Sequence, residues 1–377
     1  MGPGRPSTLR IRGSCIDSLG EPPGVDDLVL DLAGDRLLPG LINAHDHLQL
    51  NCFGLPNYGR HYANAGEWIA DLNARLMTTP AFKAARAIPR DERLLHGGLK
   101  NLLSGVTTVA HHDPLYPVLS SDGYPLHVLQ SYGWSHSLGI DGRDRVQDSY
   151  RHTPGDRPWI IHAAEGVDAD AAAEFDRLDA LGCLGPNTLL VHGVALDEAR
   201  RARLVEAGAG LIWCPTSNLR LFGATADVAG LVDRGHVALG SDSRITGGRD
   251  LLEDVSLARE LCGFDESTLE ALVTEVPARL LRLADRGVLR VGARADILIL
   301  PPGLALSRAT RADVRLVMSD GNVCLGDVDL AEAVLTKSQG AVIHVDGCTK
   351  IAARTLLAAP FRLEQGVELP DEAGRAA

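Results

Sequence analysis

The sequence predicts an α/β protein: a (β/α)8 TIM-like barrel with one βα unit compressed, and a small β-sandwich domain formed from both chain ends. Three observations predict it. Short apolar runs alternate with amphipathic stretches through the middle of the chain. Several of those runs end in histidine or aspartate. The two flanks carry strand-like segments without helical stretches of matching length between them. Alternating strand and helix implies a parallel sheet with helices outside it, and continuous apolar runs suit strands buried on both faces.

The apolar runs are residues 41–44, 106–110, 127–132, 159–161, 188–191, 210–213 and 236–239. Residues 91–104 and 170–181 carry apolar side chains at three-to-four spacing, as one buried helix face requires. Residues 197–207 open on Asp197, a helix N-cap residue, and stop before Gly208. Seven strands are legible. An eighth is expected between Tyr132 and Trp159, in a short stretch rich in Gly, Asp and Arg that makes this unit compressed or irregular. A helical stretch over 253–283 would close the barrel. Residues 9–16 and 27–32 read as strands near the start, and 295–300, 314–318 and 322–325 after the barrel. The expected division is a discontinuous β-rich domain from 1–36 and 290–345, a barrel over 37–289, and a C-terminal extension over 346–377, frayed from Glu364 onward.

Composition narrows the function classes. The 377 residues carry a formal net charge of −12, which disfavours polyanionic partners such as nucleic acid or a membrane surface. Seven cysteines, odd in number and none at Cys-x-x-Cys spacing, disfavour both a zinc ribbon and a disulfide framework. No run approaches the roughly 20 apolar residues of a membrane span, and residues 1–12 lack a signal-peptide core. A small-molecule substrate in the cytoplasm is the expectation that remains.

The chemistry lies at the strand ends. Leu41-Ile42-Asn43-Ala44-His45-Asp46-His47 ends an apolar run with two histidines two residues apart. In a strand, positions i and i+2 point the same way, so both imidazoles can reach one cation. Alone, His-x-His is a weak signal. Three further runs strengthen it by ending at His162, His192 and Asp242. In a β/α barrel those C-terminal ends converge on one face. Three histidines and a carboxylate suit Zn²⁺, with Fe²⁺ or Mn²⁺ as alternatives. Glu165, three residues past His162, is placed to shuttle protons over the same mouth or to stabilise a helix start.

Taken in order, these motifs resemble the amidohydrolase superfamily, in the branch of cytosine, guanine and adenosylhomocysteine deaminases and triazine hydrolases. The matching segments are Pro39-Gly40-Leu41-Ile42-Asn43-Ala44-His45-Asp46-His47, Gly105-Val106-Thr107-Thr108-Val109, His162-Ala163-Ala164-Glu165 and Val191-His192-Gly193. They continue with Cys214-Pro215-Thr216-Ser217-Asn218-Leu219, Leu239-Gly240-Ser241-Asp242-Ser243 and Gly292-Ala293-Arg294-Ala295-Asp296-Ile297. The resemblance implies metal ligands at His45, His47, His162 and Asp242, with Asp242 also taking part in catalysis. It implies a proton shuttle at Glu165, and at His192 a group that hydrogen-bonds the attacking water or polarises the substrate. No lysine stands at the strand position that would bridge two metals, so one ion is expected.

The stretch from His47 to His162 is shorter than the family's, and substrate contacts made there do not transfer. Candidate substrate contacts are Trp68, His111, His112, Asn218 and Arg220. The expected reaction is hydrolysis of a carbon–nitrogen bond in an N-heterocycle with loss of ammonia. The alternatives are opening of a cyclic amide, as in imidazolonepropionase-like relatives, and a non-catalytic metal- or ligand-binding barrel. A homodimer is an expectation of the family alone.

Overall fold

The computed structural model describes residues 8–370. Eight strands that pair in parallel run through its centre. They are β1 (Leu41–Asp46), β2 (Val106–His111), β3 (His127–Val128), β4 (Gly133–Ser135), β5 (Trp159–Ala163), β6 (Thr188–His192), β7 (Gly210–Trp213) and β8 (Val237–Leu239). They form two hydrogen-bonded runs, β1–β2–β3 and β4 through β8. Just past β8, the Asp242 amide donates to the His45 carbonyl at 3.1 Å, tying the exit of the last strand to the first. Every residue of β1, β2, β6, β7 and β8 is buried, as the predominantly apolar composition of these strands suits.

Helices follow the strands and cover them. Ala169–Ala180 buries Phe175 and Leu178, and Glu198–Glu206 buries Leu204. Asp168 and Asp197 cap them, each side chain accepting a backbone N–H from the first turn. Helix Arg90–Leu103 packs its second half inward, burying Gly97, Leu99, Lys100 and Asn101. It can approach the segment after β1 because Gly97 has no Cβ. A Cβ there would lie 2.3 Å from the Leu48 carbonyl oxygen.

The flanking strands join in one seven-stranded antiparallel sheet. Its order is Val367–Glu368, Gly340–Val345, Cys348–Ala353, Asn322–Asp327, Leu316–Ser319, Ile297–Leu300 and Arg36–Pro39. The run Ile297-Leu298-Ile299-Leu300 shows why it is apolar at every position. Ile297 and Ile299 pack with Leu9 and Ile11 of the N-terminal hairpin, whereas Leu298 and Leu300 join the core of the parallel strands. Alternate side chains of one strand thus serve two different cores.

Several expected boundaries move. The expected strand 127–132 shortens to His127–Val128, and the eighth strand begins almost at once, at Gly133. The compression therefore lies between β3 and β4, where no helix intervenes. The stretch after β4 holds the helices Leu138–Asp141 and Arg143–His152. Residues 9–16 are not one strand but part of a hairpin, Leu9–Arg12 and Cys15–Leu19, turning at Gly13. Residues 27–32 form no strand. The stretch 253–283 divides into Leu251–Cys262, Glu266–Ala271 and Glu275–Leu280, since Gly263 in a left-handed conformation ends the first helix.

The boundary placed at 345/346 falls in the turn of a hairpin whose two strands pair over six residues, so residues 346–353 continue the sheet. Fraying from Glu364 is also overturned: Glu364 is buried, and 371–377 lie outside the described residues. Among the described residues no helix is long and apolar enough to cross a membrane.

Candidate metal centre and active site

The strand ends bring His45, His47, His162, His192, Glu165 and Asp242 together. His45 and His47 leave β1, His162 lies in β5, His192 ends β6, and Asp242 follows β8. The Nε2 atoms of His47 and His162 lie 3.3 Å apart, as do those of His162 and His45. Asp242 Oδ1 is 3.7 Å from His45 Nε2. Nitrogen ligands about 2.1 Å from one tetrahedral ion would sit about 3.4 Å from each other. The imidazole nitrogens have the spacing of ligands around one point, and among the described residues the ligand-type groups fall into two sets that share His45: His45, His47, His112 and His162, and His45, His192 and Asp242.

Three of the four ligand-type side chains are held from behind, whereas the buried His45 Nδ1 has no hydrogen-bond partner. His47 Nδ1 donates to Asp113 Oδ2 at 2.7 Å, and Asp113 also accepts from Gln49 Nε2 at 2.6 Å and from His136 Nε2 at 3.3 Å. His162 Nδ1 donates to the His136 carbonyl at 2.8 Å, which leaves its Nε2 as a lone pair facing the other imidazoles. Asp242 Oδ2 accepts from Ser217 Oγ at 2.8 Å and Thr246 Oγ1 at 2.7 Å, and its Oδ1 accepts the Ser243 amide at 2.7 Å. Carboxylates and carbonyls placed behind metal-binding imidazoles fix tautomer and orientation.

Electrostatics agree with a cation focus. Burial, reinforced by neighbouring imidazoles, holds the pKa of His45 and of His162 well below the usual histidine range. Both rings are therefore neutral donors of lone pairs. Burial opposes protonation of His47 as well, but Asp113 overrides it through hydrogen bond and charge and lifts that pKa to about 9. Burial works against the Asp242 charge, yet His192 and His47 with the two hydroxyl donors keep its carboxyl below the ordinary value.

Glu165 and His192 occupy the other side of this focus. Glu165 Oε1 is 3.6 Å from His192 Nε2, which is 3.9 Å from Asp242 Oδ2. Burial, then the charges of Asp242 and Glu174, push the Glu165 carboxyl well above its usual range. The surroundings thus push the two carboxyl groups in opposite directions, Glu165 toward its protonated form and Asp242 toward its ionised form, the tendency that separates an acid from a base. The backbone is left-handed at Ala164 (φ 52°), His192 (φ 75°) and Asp242 (φ 52°). Such conformations cost about 1–3 kcal/mol each and are held only where the surroundings dictate them.

The expected substrate contacts divide. Asn218 is fully buried and accepts from His192 Nδ1 at 2.8 Å, so it orients that ring and does not face the mouth. Arg220 donates to the Gly247 carbonyl and, at 2.8 Å, to the Pro56 carbonyl, clamping two loops. Its side chain also lines a cleft of about 600 Å³ with Leu55, Tyr58, Arg60 and His61. His111 Nδ1 accepts the Leu48 amide at 3.3 Å, and burial lowers its pKa to about 4. It serves the backbone after β1.

His112 stacks on His162 with ring centroids 4.3 Å apart and donates through Nε2 to the Ser135 carbonyl. It belongs to the same cluster of ligand-type residues as His45, His47 and His162, and its buried Nδ1 has no hydrogen-bond partner. Trp68 packs with Tyr58, Tyr62, Leu221 and Phe222, and its buried indole N–H has no partner.

Several contributors have no clear sequence signal. Lys100, fully buried, donates to Asp46 Oδ2 at 3.0 Å and Ser241 Oγ at 2.9 Å, in a polar network with Asn43, Asn51 and Asn101 beneath the histidines. Lys100 lies on a helix whose pattern gives no hint of an inward lysine. Asp113 directly follows His111-His112 and could have been suspected from that adjacency. His136 lies in the stretch left unassigned.

A model of the amidohydrolase family matches residues 151–325. The 5-methylthioadenosine/S-adenosylhomocysteine deaminase of Haloarcula marismortui is 30% identical over 374 residues, covering 83% of this chain and 86% of its own. The 5'-deoxyadenosine deaminase of Methanothermobacter thermautotrophicus is 25% identical over 376 residues, covering 82% and 86%. Among solved structures, a mutant of atrazine chlorohydrolase from Arthrobacter aurescens, complexed with zinc and atraton, superposes with a TM-score of 0.69. It is 19% identical, covering 84% of this chain and 90% of its own, a likeness of fold.

Proposed function

The chain belongs to the amidohydrolase family and is a hydrolase of carbon–nitrogen bonds, and from that premise we propose that it deaminates an N-heterocycle using one divalent ion. The observation that carries this reading is the shared focus of the His45, His47 and His162 Nε2 atoms and Asp242, with Glu165 and His192 beside it. Those four side chains would hold the ion, and the three imidazoles with one carboxylate suit zinc. We take a single ion, held through His45, which belongs to both sets of candidate ligands. Lys100, the buried lysine below, is bound to Asp46 and Ser241. We take residues 37–289 as the catalytic barrel and the flanking strands as its companion β unit.

When bound, the ion supplies a Lewis acid that makes a water acidic enough to ionise near neutral pH. Asp242 is placed to receive that proton, since Ser217, Thr246 and the Ser243 amide keep its carboxylate ionised and aimed. His192, oriented by Asn218, turns Nε2 toward the reacting carbon's new substituents and holds them by hydrogen bond. Glu165 carries a proton because burial disfavours its charge, and it delivers that proton to a ring nitrogen or to the departing amine.

Most of the deaminases among the relatives are named for adenine nucleosides and one for 8-oxoguanine, which makes adenine nucleosides the first substrates to test. Zinc-loaded protein should release ammonia from at least one member of a panel of adenine nucleosides, free purines, pyrimidines and pterins. Ring opening without ammonia would replace deamination by cyclic amide hydrolysis. Absence of turnover across the panel, with zinc bound, would favour a binding role.

A further inference from the structure

Past the metal-site candidates, a heavily charged buried cluster surrounds Glu364. Its carboxylate has no solvent exposure. Arg244 grips it with two nitrogens, NH1 to Oε2 at 2.8 Å and NH2 to Oε1 at 2.7 Å. Arg311 donates to Oε1, and His96 Nε2 lies 2.8 Å from Oε2. The side chains of Arg244, Arg311 and His96 are themselves nearly or fully buried, at 5%, 1% and 0% exposure. Burial opposes ionisation of Glu364, but these donors outweigh it and hold the carboxyl below the ordinary glutamate range.

Only Ser243 separates Arg244 from Asp242, the candidate ligand after β8. The Arg244 amide donates to Asn51 Oδ1 at 3.1 Å, and Asn51 Nδ2 donates to Asp46 Oδ1 at 2.9 Å, between His45 and His47. Arg244 Nε donates to the Arg249 carbonyl at 2.8 Å, closing the loop on itself. Arg249 reaches Asp346. On the far side, the segment carrying Glu364 is fastened to the antiparallel sheet. The Asp346 amide donates to the Gly366 carbonyl at 2.7 Å, and Val367–Glu368 pairs with Gly340–Val345. A continuous path of bonds therefore runs from the C-terminal strand through Glu364 and Arg244 to the residue that would hold the metal.

We infer that Glu364 is a positioning residue for the metal centre: it neutralises Arg244 and so fixes the loop that aims Asp242. This rests on the reading of Asp242 as a ligand. The physical reason is that a bidentate guanidinium–carboxylate pair sets orientation as well as charge. Without the carboxylate, Arg244 would be a buried cation whose one anionic partner is lost, and the loop would move to hydrate it. The cavity left at position 364 would fit a small free carboxylate.

The test uses full-length wild type, Glu364→Ala and Glu364→Gln. Zinc affinity is measured by competition with a chromogenic chelator, and amide exchange of residues 243–250 is followed in metal-free protein. Glu364→Ala should bind zinc about 10- to 100-fold more weakly, the usual scale for groups behind a metal ligand. Its loop amides should exchange faster, and added formate should reverse both changes while leaving wild type unaffected. Unchanged zinc affinity and exchange, in a variant that still melts cooperatively, would overturn the inference and leave Glu364 a brace of the sheet. If Glu364→Ala does not fold, Glu364→Gln decides on the same terms, since it keeps shape and removes charge. Wild type that fails to bind zinc would overturn the metal reading itself, whereas normal binding by wild type and both variants sinks only the role of Glu364.

Discussion

Glu165 and Asp242 are two carboxyl groups in one buried site with opposite tendencies. Burial and the charge of Asp242 keep Glu165 protonated, while donors from Ser217 and Thr246 keep Asp242 ionised. Glu165→Gln preserves shape and removes the transferable proton. It should lower kcat by about 10²- to 10⁴-fold while zinc stoichiometry stays at the wild-type value. Steady-state kinetics beside metal analysis checks this, and an undiminished kcat would take Glu165 out of the proton path. At this scale the ligand-type residues were legible because His45, His162, His192 and Asp242 each end an apolar run. Asp113 and His136, which hold His47 and His162 from behind, were not. Their effect depends on contacts between strands far apart in sequence, and the only local mark is that Asp113 follows His111-His112. Asn218 was singled out for the wrong partner: the motif residue meets His192, not the mouth.

At the scale of elements, Gly240 shows how the exit from β8 is shaped. A Cβ there would lie 2.8 Å from the His45 Cβ and 3.0 Å from both the His45 amide nitrogen and Ile212 Cγ2. Because part of the obstruction is backbone, β1 and β8 would have to separate. Gly240→Ala should cost about 1–3 kcal/mol in urea unfolding, the usual penalty for overpacking, and should weaken zinc binding by displacing His45 from Asp242. Wild-type stability together with wild-type zinc affinity would show that the strands have room to give. Six of the seven expected parallel strands keep their positions within a residue or two, since a doubly buried strand must be apolar throughout. The short β3 and β4 escaped because Leu129–Tyr132 reads as more strand, when in fact it is the connection. The helical stretch after β8 looked continuous because its pattern survives the break at Gly263.

For the whole molecule, the companion sheet is a second support of the site. It packs Leu298 and Leu300 against the parallel strands and sends Glu364 to the loop after β8. A crevice of about 880 Å³ lies between them, lined by β3 on one side and Ser319–Cys324 on the other. His127 faces it, and burial, with the charge of Arg286 nearby, lowers its pKa to about 4. The unfolded chain would protonate His127 near pH 6.5, so between about 6.5 and 4 the unfolded state binds the extra proton. This contribution to stability is therefore full above pH 6.5 and is lost as pH falls toward 4. Replacing His127 with Asn should flatten the fall in urea midpoint between pH 7.5 and pH 5. An unchanged slope would place the acid sensitivity elsewhere.

By itself, the sequence determined the parallel strands, the ligand-type residues at their ends and the family they belong to. These follow from local patterns: burial on both faces demands apolar runs, and a strand's two-residue period aligns His45 with His47. Only the tertiary structure decided that residues 346–353 continue the sheet, that Lys100 sits beneath the histidines, and that Glu364 reaches Arg244 across 120 residues. Those outcomes depend on which distant polar groups must be neutralised once buried, a demand that arises only when the chain has closed around them.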